Sequence, residues 1–349
     1  MFTLNNHSNF TAESWPLDDL LAYLPTRHCQ IYVFRMKPSL PSRISLLALA
    51  LVLFACNSAS KEEPAPAVES TNTTIDGIGR NVDLPESIKR VVSLAPGATE
   101  IVYASGAIES LVGVTTADNY PSIVTGLPSF SALPVNFESI IGLEPDLIVA
   151  SSQVNNPDDA EIFRQVGIPV YFLESRSLDD IVDSIRELGS VLGTSTAANA
   201  AADSLESRIQ MMKNATMTIR TRPRILLLLS ASSMYSFGSG SYVQDLIWIG
   251  GGKSITAELP QEAVNLSEEF VITTRPDIIL GTFPEGTTVS EFLENHPKWS
   301  DVPAIKNSAI FAISPDLILR PGPRNVDGIE TIMNILHPIL AASILTEQL

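Results

Sequence analysis

The chain has 349 residues, room for two domains of ordinary size, and its 45% hydrophobic and 17% charged residues exclude disorder over most of its length. Asp and Glu number 39 against 22 Lys and Arg, a formal net charge of −17. That argues against a nucleic-acid partner, which needs a basic face, and two cysteines with four histidines (Cys29, Cys56, His7, His28, His296, His337) are too few for a structural zinc site or a disulfide framework.

Residues 36–43 open a second beginning in which Lys37 and Arg43 supply positive charge. The apolar run 44–55 that follows is too short to cross a bilayer as a helix, which takes about 20 residues. It ends Leu53-Phe54-Ala55-Cys56, so 36–55 has the layout of a secretory signal peptide, with an uncleaved anchor as the alternative. The cysteine after the cleavage point also resembles the lipobox of bacterial lipoproteins, which implies a lipidated Cys56 and a membrane tether. Residues 1–35 show no clear period and are read as an upstream, misassigned start. Residues 56–77, small, polar and Pro-containing, are read as the acylated Cys and a flexible tether.

The body alternates strands and helices. Apolar runs at 90–94, 111–115, 146–150 and 169–173 predict buried strands, with helices at 99–105, ended by Gly106, and at 158–166, stopped by Gly167. This rhythm means a parallel or mixed sheet with helices on its faces, an N-terminal α/β lobe over 78–175. Leu178, Ile181, Val182, Ile185 and Leu188 then recur at helical spacing behind a Ser177/Asp180 cap, and Ala201, Leu205, Ile209 and Met212 continue the pattern. Residues 176–215 are read as one long bridging helix, with Gly193 the point of interruption if it is in two pieces. A second lobe over 216–349 has strands at 224–229, 277–281 and 309–313, a helix at 242–249 and a closing helix at 327–340. The fold class is α/β: two lobes with central sheets, joined by a long helix.

An internal echo links the halves. Glu138 stands seven residues before Pro145-Asp146, and Glu269 seven before Pro276-Asp277, each time followed by an apolar strand. Each segment reads as a short helix, a Pro-Asp turn and a strand; the plainer explanation is that such units share chemistry, and a Glu near a helix N-terminus is favourable in itself. Hydrolytic chemistry finds no support, because neither His296 nor His337 has a nucleophile signature beside it. Gly252-Lys253-Ser254 imitates the end of a P-loop, but Ile247 stands where the first Gly is required.

The segments Arg90-Val-Val-Ser-Leu-Ala-Pro96-Gly-Ala-Thr-Glu100, Asp118-Asn-Tyr120-Pro121, Glu138…Pro145-Asp146, Gly250-Gly251 and Ile313-Ser-Pro-Asp316-Leu-Ile-Leu-Arg320-Pro-Gly-Pro-Arg324 together resemble the substrate-binding proteins that feed cobalamin and ferric-siderophore ABC importers, closest to the vitamin B12-binding branch. The likeness covers about 78–340 and implies a ligand cleft between the lobes, no enzymatic activity and no cofactor, the ligand being a corrinoid or a ferric chelate. It implies that Pro96, Gly97, Tyr120, Phe130, Tyr235, Phe237, Asp316, Arg320 and Arg324 line the cleft. Asn119 stands where the family motif has Asp, and Ser152 where some cobalamin receptors have Trp. Glu138 and Glu269 match the two glutamates, one per lobe, that meet basic residues of the permease, and a surplus of acid favours that encounter. Expected partners are therefore an ABC permease with its ATPase, a small metal chelate and, through Cys56, a membrane; a monomer outside the cytoplasm is expected. A ferric-siderophore or haem receptor, an enzyme on a related scaffold and a lipid-anchored sensor are the alternatives; a surface ion pair is the plainer reading of Asp316 with Arg320, and their place just past a strand's end favours the ligand role.

Overall fold

The computed structural model describes residues 72–347, with side chains through residue 342. The expected upstream start, the signal peptide, Cys56 and the tether up to residue 71 lie outside the described residues. All described residues belong to the second of two compact units, residues 65–349.

The end of the expected tether is folded. Asn72–Ile75 (β1) pairs antiparallel with Asn81–Leu84 (β2). Asp76 causes this turn: its buried carboxylate accepts the Arg80 amide at 2.8 Å and the Ile78 amide at 3.2 Å, and takes the Arg80 guanidinium at 2.9 Å. The N-terminal lobe thus includes β1, ahead of the expected boundary at 78.

Next come Val91–Ser93 (β3), Pro96–Ala104 (α1), Leu111–Thr115 (β4), Ser129–Phe130 (β5), Phe137–Ile141 (α2), Leu147–Ser151 (β6), Asp159–Gln165 (α3) and Val170–Leu173 (β7). The strands form one parallel sheet in the order β5-β4-β3-β6-β7. Every residue of β6 is buried, because both faces of the sheet are covered. Val91, Leu147 and Val149 enter one core and Val92, Ile148 and Ala150 the other, as a two-residue period requires.

Leu178–Val191 (α4) starts from a reciprocal cap between Ser177 and Asp180, and Ser195–Thr216 (α5) follows after three residues. The connection expected as a single bridging helix over 176–215 is therefore a pair of antiparallel helices. Gly193 makes the reversal at φ +74°, and a Cβ on Gly189 would lie 2.1 Å from that of Ala198, so the helices touch almost backbone to backbone. On the outer side Arg186 reaches Asp203 at 2.8 Å and Glu206 at 2.7 Å.

The C-terminal lobe holds Arg224–Leu228 (β8), Tyr235–Phe237 (β9), Val243–Ile249 (α6), Lys253–Ser254 (β10), Ala263–Asn265 (β11), Glu268–Thr274 (α7), Ile278–Gly281 (β12), Val289–Asn295 (α8), Pro303–Lys306 (α9), Ile310–Ala312 (β13), Pro315–Ile318 (α10), Asn325–Leu336 (α11) and Pro338–Glu347 (α12). Its parallel sheet runs β10-β8-β12-β13, the order of β4-β3-β6-β7 repeated, while β9 and β11 form a separate antiparallel pair.

The echo has a structural cause. In each lobe the Pro-Asp aspartate ties the start of its strand to the central strand. Asp146 accepts the amides of Lys89 and Arg90 at 2.7 and 2.9 Å, and Asp277 accepts that of Arg224 at 2.9 Å. Arg90 in turn donates to the carbonyls of Leu143 and Glu144, and Arg224 to that of Thr274. Glu144 and Arg275, the residues before the prolines, both take left-handed backbone at φ 48° and 49°. The same device closes the same helix–turn–strand unit twice.

One apolar core passes from Val91 and Ile101 of the first lobe, through Ile185, Leu188, Ala202 and Leu205 of the hairpin, to Ile225, Leu246 and Ile329 of the second. Both lobes are thus welded to the same two helices. Gly189→Val would force these helices apart, and an overpacking cost of about 2–3 kcal/mol is expected in urea unfolding, with no such cost for Gly126→Ala in open space.

Candidate ligand-binding cleft

The loops after β3, β4 and β13 meet where the two lobes face each other. Pro96 opens α1, whose N-cap Ala95 offers no side-chain oxygen. Gly97 is buried, and a Cβ there would stand 2.4 Å from the carbonyl oxygen of Pro321, so glycine is demanded by the approach of the opposite lobe. One turn on, Glu100 is buried and takes the fork of Arg324 at 2.6 and 3.0 Å. The Arg324 guanidinium lies 4.4 Å over the ring of Tyr120, which also meets Tyr103 edge-on at 6.0 Å. Burial raises the Glu100 carboxyl above its ordinary range, against the lowering pull of Arg324, and that carboxylate raises Arg324 in turn.

A second bridge lies beside the first. Asp118 accepts the amide and hydroxyl of Thr115 at 2.9 and 2.6 Å, which shapes the loop after β4. Its carboxyl is also raised by burial. Beyond it, Asn119 accepts from Arg320 at 2.6 Å and donates to Asp316 at 3.2 Å, while Arg320 also donates to the Ala117 carbonyl at 3.0 Å. Asp316 and Arg320 pair at 3.1 Å, one helical turn apart. Six residues, Glu100, Asn119 and Tyr120 from the first lobe and Asp316, Arg320 and Arg324 from the second, thus form one polar network across the cleft.

The structure brings Tyr120, Asp316, Arg320 and Arg324 together, with Pro96 and Gly97 at the edge of the same junction. It does not do so for Phe130, which is 5% exposed and packed with Val92, Leu94, Ile140 and Ile148 in the first lobe's outer core. The position expected to line the cleft is a core residue, because β5 turns it inward beside Gly113. Tyr235 and Phe237, half-buried on β9, take no part in the network's hydrogen bonds among the described residues. Glu138 and Glu269 are exposed at the second position of α2 and α7, behind the caps Asn136 and Ser267. Two members of the network, Glu100 and Asn119, carry no expectation from sequence. The signal for the first is a lone acid on an apolar helix, which needs a cation once buried.

A cavity of about 280 Å³ opens behind the network, between α1, the hairpin and the 323–324 loop, with Tyr103, Ile185, Leu205 and Arg208 on its walls. It falls just below the usual range for small-molecule sites and is too small for a tetrapyrrole. Among the described residues no cluster of His, Cys, Asp or Glu could hold a metal ion, and no helix is long and apolar enough to cross a membrane.

Arg324→Met would leave Glu100 buried without its counter-charge. A loss of about 3 kcal/mol is expected at neutral pH. The sign of the pH dependence follows from the raised carboxyl: the native state holds the proton more tightly than the unfolded chain, so stability falls as pH rises above the ordinary glutamate value of 4.5. Urea unfolding from about pH 4 to about pH 7 should show a steeper fall in the variant than in the parent; equal slopes would contradict the assignment.

The chain matches the family described as periplasmic binding protein over residues 91–317. It is 27% identical over 304 residues to the ABC transporter substrate-binding lipoprotein YvrC of Bacillus subtilis, covering 84% of this chain and 96% of the relative. It is 28% identical over 258 residues to a vitamin B12-binding protein of Vibrio cholerae, covering 72% and 90%. Among solved structures, the periplasmic vitamin B12 binding protein BtuF of Vibrio cholerae gives a TM-score of 0.63 at 28% identity, covering 71% of this chain and 96% of that one. The periplasmic heme-binding protein RhuT from Roseiflexus sp. RS-1 in apo form gives 0.63 at 26%, covering 73% and 100%. These relatives are substrate-binding proteins and not enzymes; such proteins carry ligands rather than cofactors and work outside the cytoplasm with a permease and its ATPase. With the α/β lobes and their shared hairpin, the match makes this chain a member of the periplasmic binding protein family, of the ABC-transporter type.

Proposed function

We propose that the protein captures cobalamin or a related corrinoid between its lobes and delivers it unchanged to an importer permease, tethered to the membrane through Cys56. The observation that carries this reading is the network of Tyr120, Asp316, Arg320 and Arg324 at the junction of the lobes, in a chain whose relatives include vitamin B12-binding proteins. Tyr120 is 37% exposed and offers an aromatic face to an apolar macrocycle. Asp316 and Arg320 offer an acceptor and a fork of donors to peripheral amides.

In the structure these polar groups satisfy one another through Asn119. Ligand binding therefore exchanges the Asn119 bridge for contacts to the cargo, and the lobes part enough to admit it. The deeper Glu100–Arg324 pair and the apolar core behind it limit that motion, so closure and opening are small. Glu138 and Glu269, equivalent in the two lobes, then present one carboxylate each to the permease. A haem or ferric chelate is the second reading, supported by the two guanidinium groups in the network, which suit an anionic cargo, and by the haem-binding neighbour.

Titration of the protein with cyanocobalamin, haem and a ferric catecholate, followed by their visible spectra, decides between these cargoes. Cobalamin binding that weakens about tenfold in Arg320→Ala is expected, since one charge-assisted contact is worth roughly that factor. Saturation by haem alone would replace the corrinoid reading with the second. For delivery, the double variant Glu138→Lys/Glu269→Lys should abolish uptake in cells and leave ligand affinity unchanged; an equal loss of affinity would remove both glutamates from a docking role.

A further inference from the structure

The pole of the C-terminal lobe opposite the cleft has a composition unlike the rest of the chain. Its β8–β10 side is built from three segments, 216–224, 246–256 and 331–342, none of which contains an Asp or Glu in a protein with 39 of them, while on the β12 side Asp277 pairs with Arg224 at 2.9 Å. The same segments carry Arg220, Arg222, Arg224, Lys253 and His337. Contacts bind them into one surface. Arg222 donates to the carbonyls of Trp248 and of Thr216, the latter at 3.0 Å, and its guanidinium lies 3.8 Å over the Trp248 ring. His337 is within 3.1 Å of the Gly251 carbonyl. The Lys253 amide donates to the Pro223 carbonyl at 2.9 Å.

Three large apolar side chains stand out of this surface: Met217 is 77% exposed, Trp248 56% and Ile339 89%. Arg220 and Lys253 are exposed beside them, and no ion pair engages either among the described residues. Arg224 and Lys253 begin their strands, whereas the cleft loops follow strand C-termini, so this surface faces away from the ligand. An indole under a guanidinium, flanked by aliphatic tips and unneutralised cations, matches the boundary between lipid headgroups and acyl chains, where Trp settles and Lys and Arg meet anionic phosphate.

We propose that this pole is a membrane-contact surface that rests on anionic lipid. Met217, Trp248 and Ile339 enter the headgroup layer, and Arg220, Arg222 and Lys253 meet phosphate. Such a contact holds the receptor with its cleft turned from the bilayer, free to meet solute, and must be released before Glu138 and Glu269 can reach a permease. The inference does not depend on which cargo is bound. It adds a second contact to the proposed Cys56 tether and stands without it.

The test uses the full chain with Cys56→Ala, so that no acyl group contributes. It is mixed with vesicles of brominated phosphatidylcholine, with or without about one-third brominated phosphatidylglycerol. The expected result is quenching of the Trp248 component, defined by its absence in Trp248→Phe, on the anionic vesicles only. Arg220→Glu/Lys253→Glu, which touches nothing in the cleft, should weaken that binding by at least about tenfold. Vesicle binding without Trp248 quenching would overturn the proposal, because another segment would then make the contact. Equal quenching on neutral vesicles, or indifference to the charge reversal, would remove the anionic partner. Concentration-dependent dimerisation abolished by Trp248→Ser would assign the surface to a second copy instead. Failure of Cys56 to be acylated in cells would end the tether reading and leave this one unaffected.

Discussion

The ion pair between Glu100 and Arg324 sets the relation between the two lobes. Both partners are withdrawn from water, one on the first helix of the first lobe and one at the head of α11 in the second. A carboxylate in such a place is costly unless a fork of donors meets it, so the pair fixes where the opposing loops can stand. The rest of the junction follows. Gly97 must lack a side chain because Pro321 is drawn against it, Tyr120 is held under the same guanidinium, and Asn119 comes within reach of both Asp316 and Arg320.

The second constraint is the hairpin. A receptor whose lobes are joined by flexible strands can swing widely, but here both lobes bury apolar side chains into the same pair of helices. The near contact of Gly189 with Ala198 keeps those helices from sliding. On the proposed function, binding energy goes to exchanging polar partners in the cleft rather than to large rearrangement. That suits a protein that must release its cargo again.

Local chemistry was legible in the sequence and tertiary placement was not. The Pro-Asp units could be read because helix, turn and strand follow one another in the chain, although the amides that each aspartate ties down lie 53 to 57 residues away. The strands could be read because parallel strands covered on both faces are unbroken apolar runs, as β6 and β8 are. The hairpin was half legible, since helical spacing is the same whether a helix continues or doubles back, and only Gly193 marked the reversal. Phe130 shows the other limit: an aromatic near the right place in the chain says nothing about which way a two-residue strand faces. Glu100 and Asn119 became visible only when the second lobe supplied their partners, more than 190 residues away in the chain.

Because the shared core lies on the hairpin side, relative motion of the lobes reduces to a tilt about that seam, and displacement grows with distance from it. The Glu100–Arg324 pair borders the hairpin and behaves as the pivot pin. The Asn119–Arg320 bridge does not line the cavity that touches the hairpin, and on the proposed function it is the latch at the free edge of a door. A rotation of a few degrees that hardly strains the pin is enough to part the latch. The doorway can therefore answer to a single incoming molecule while its frame stays intact.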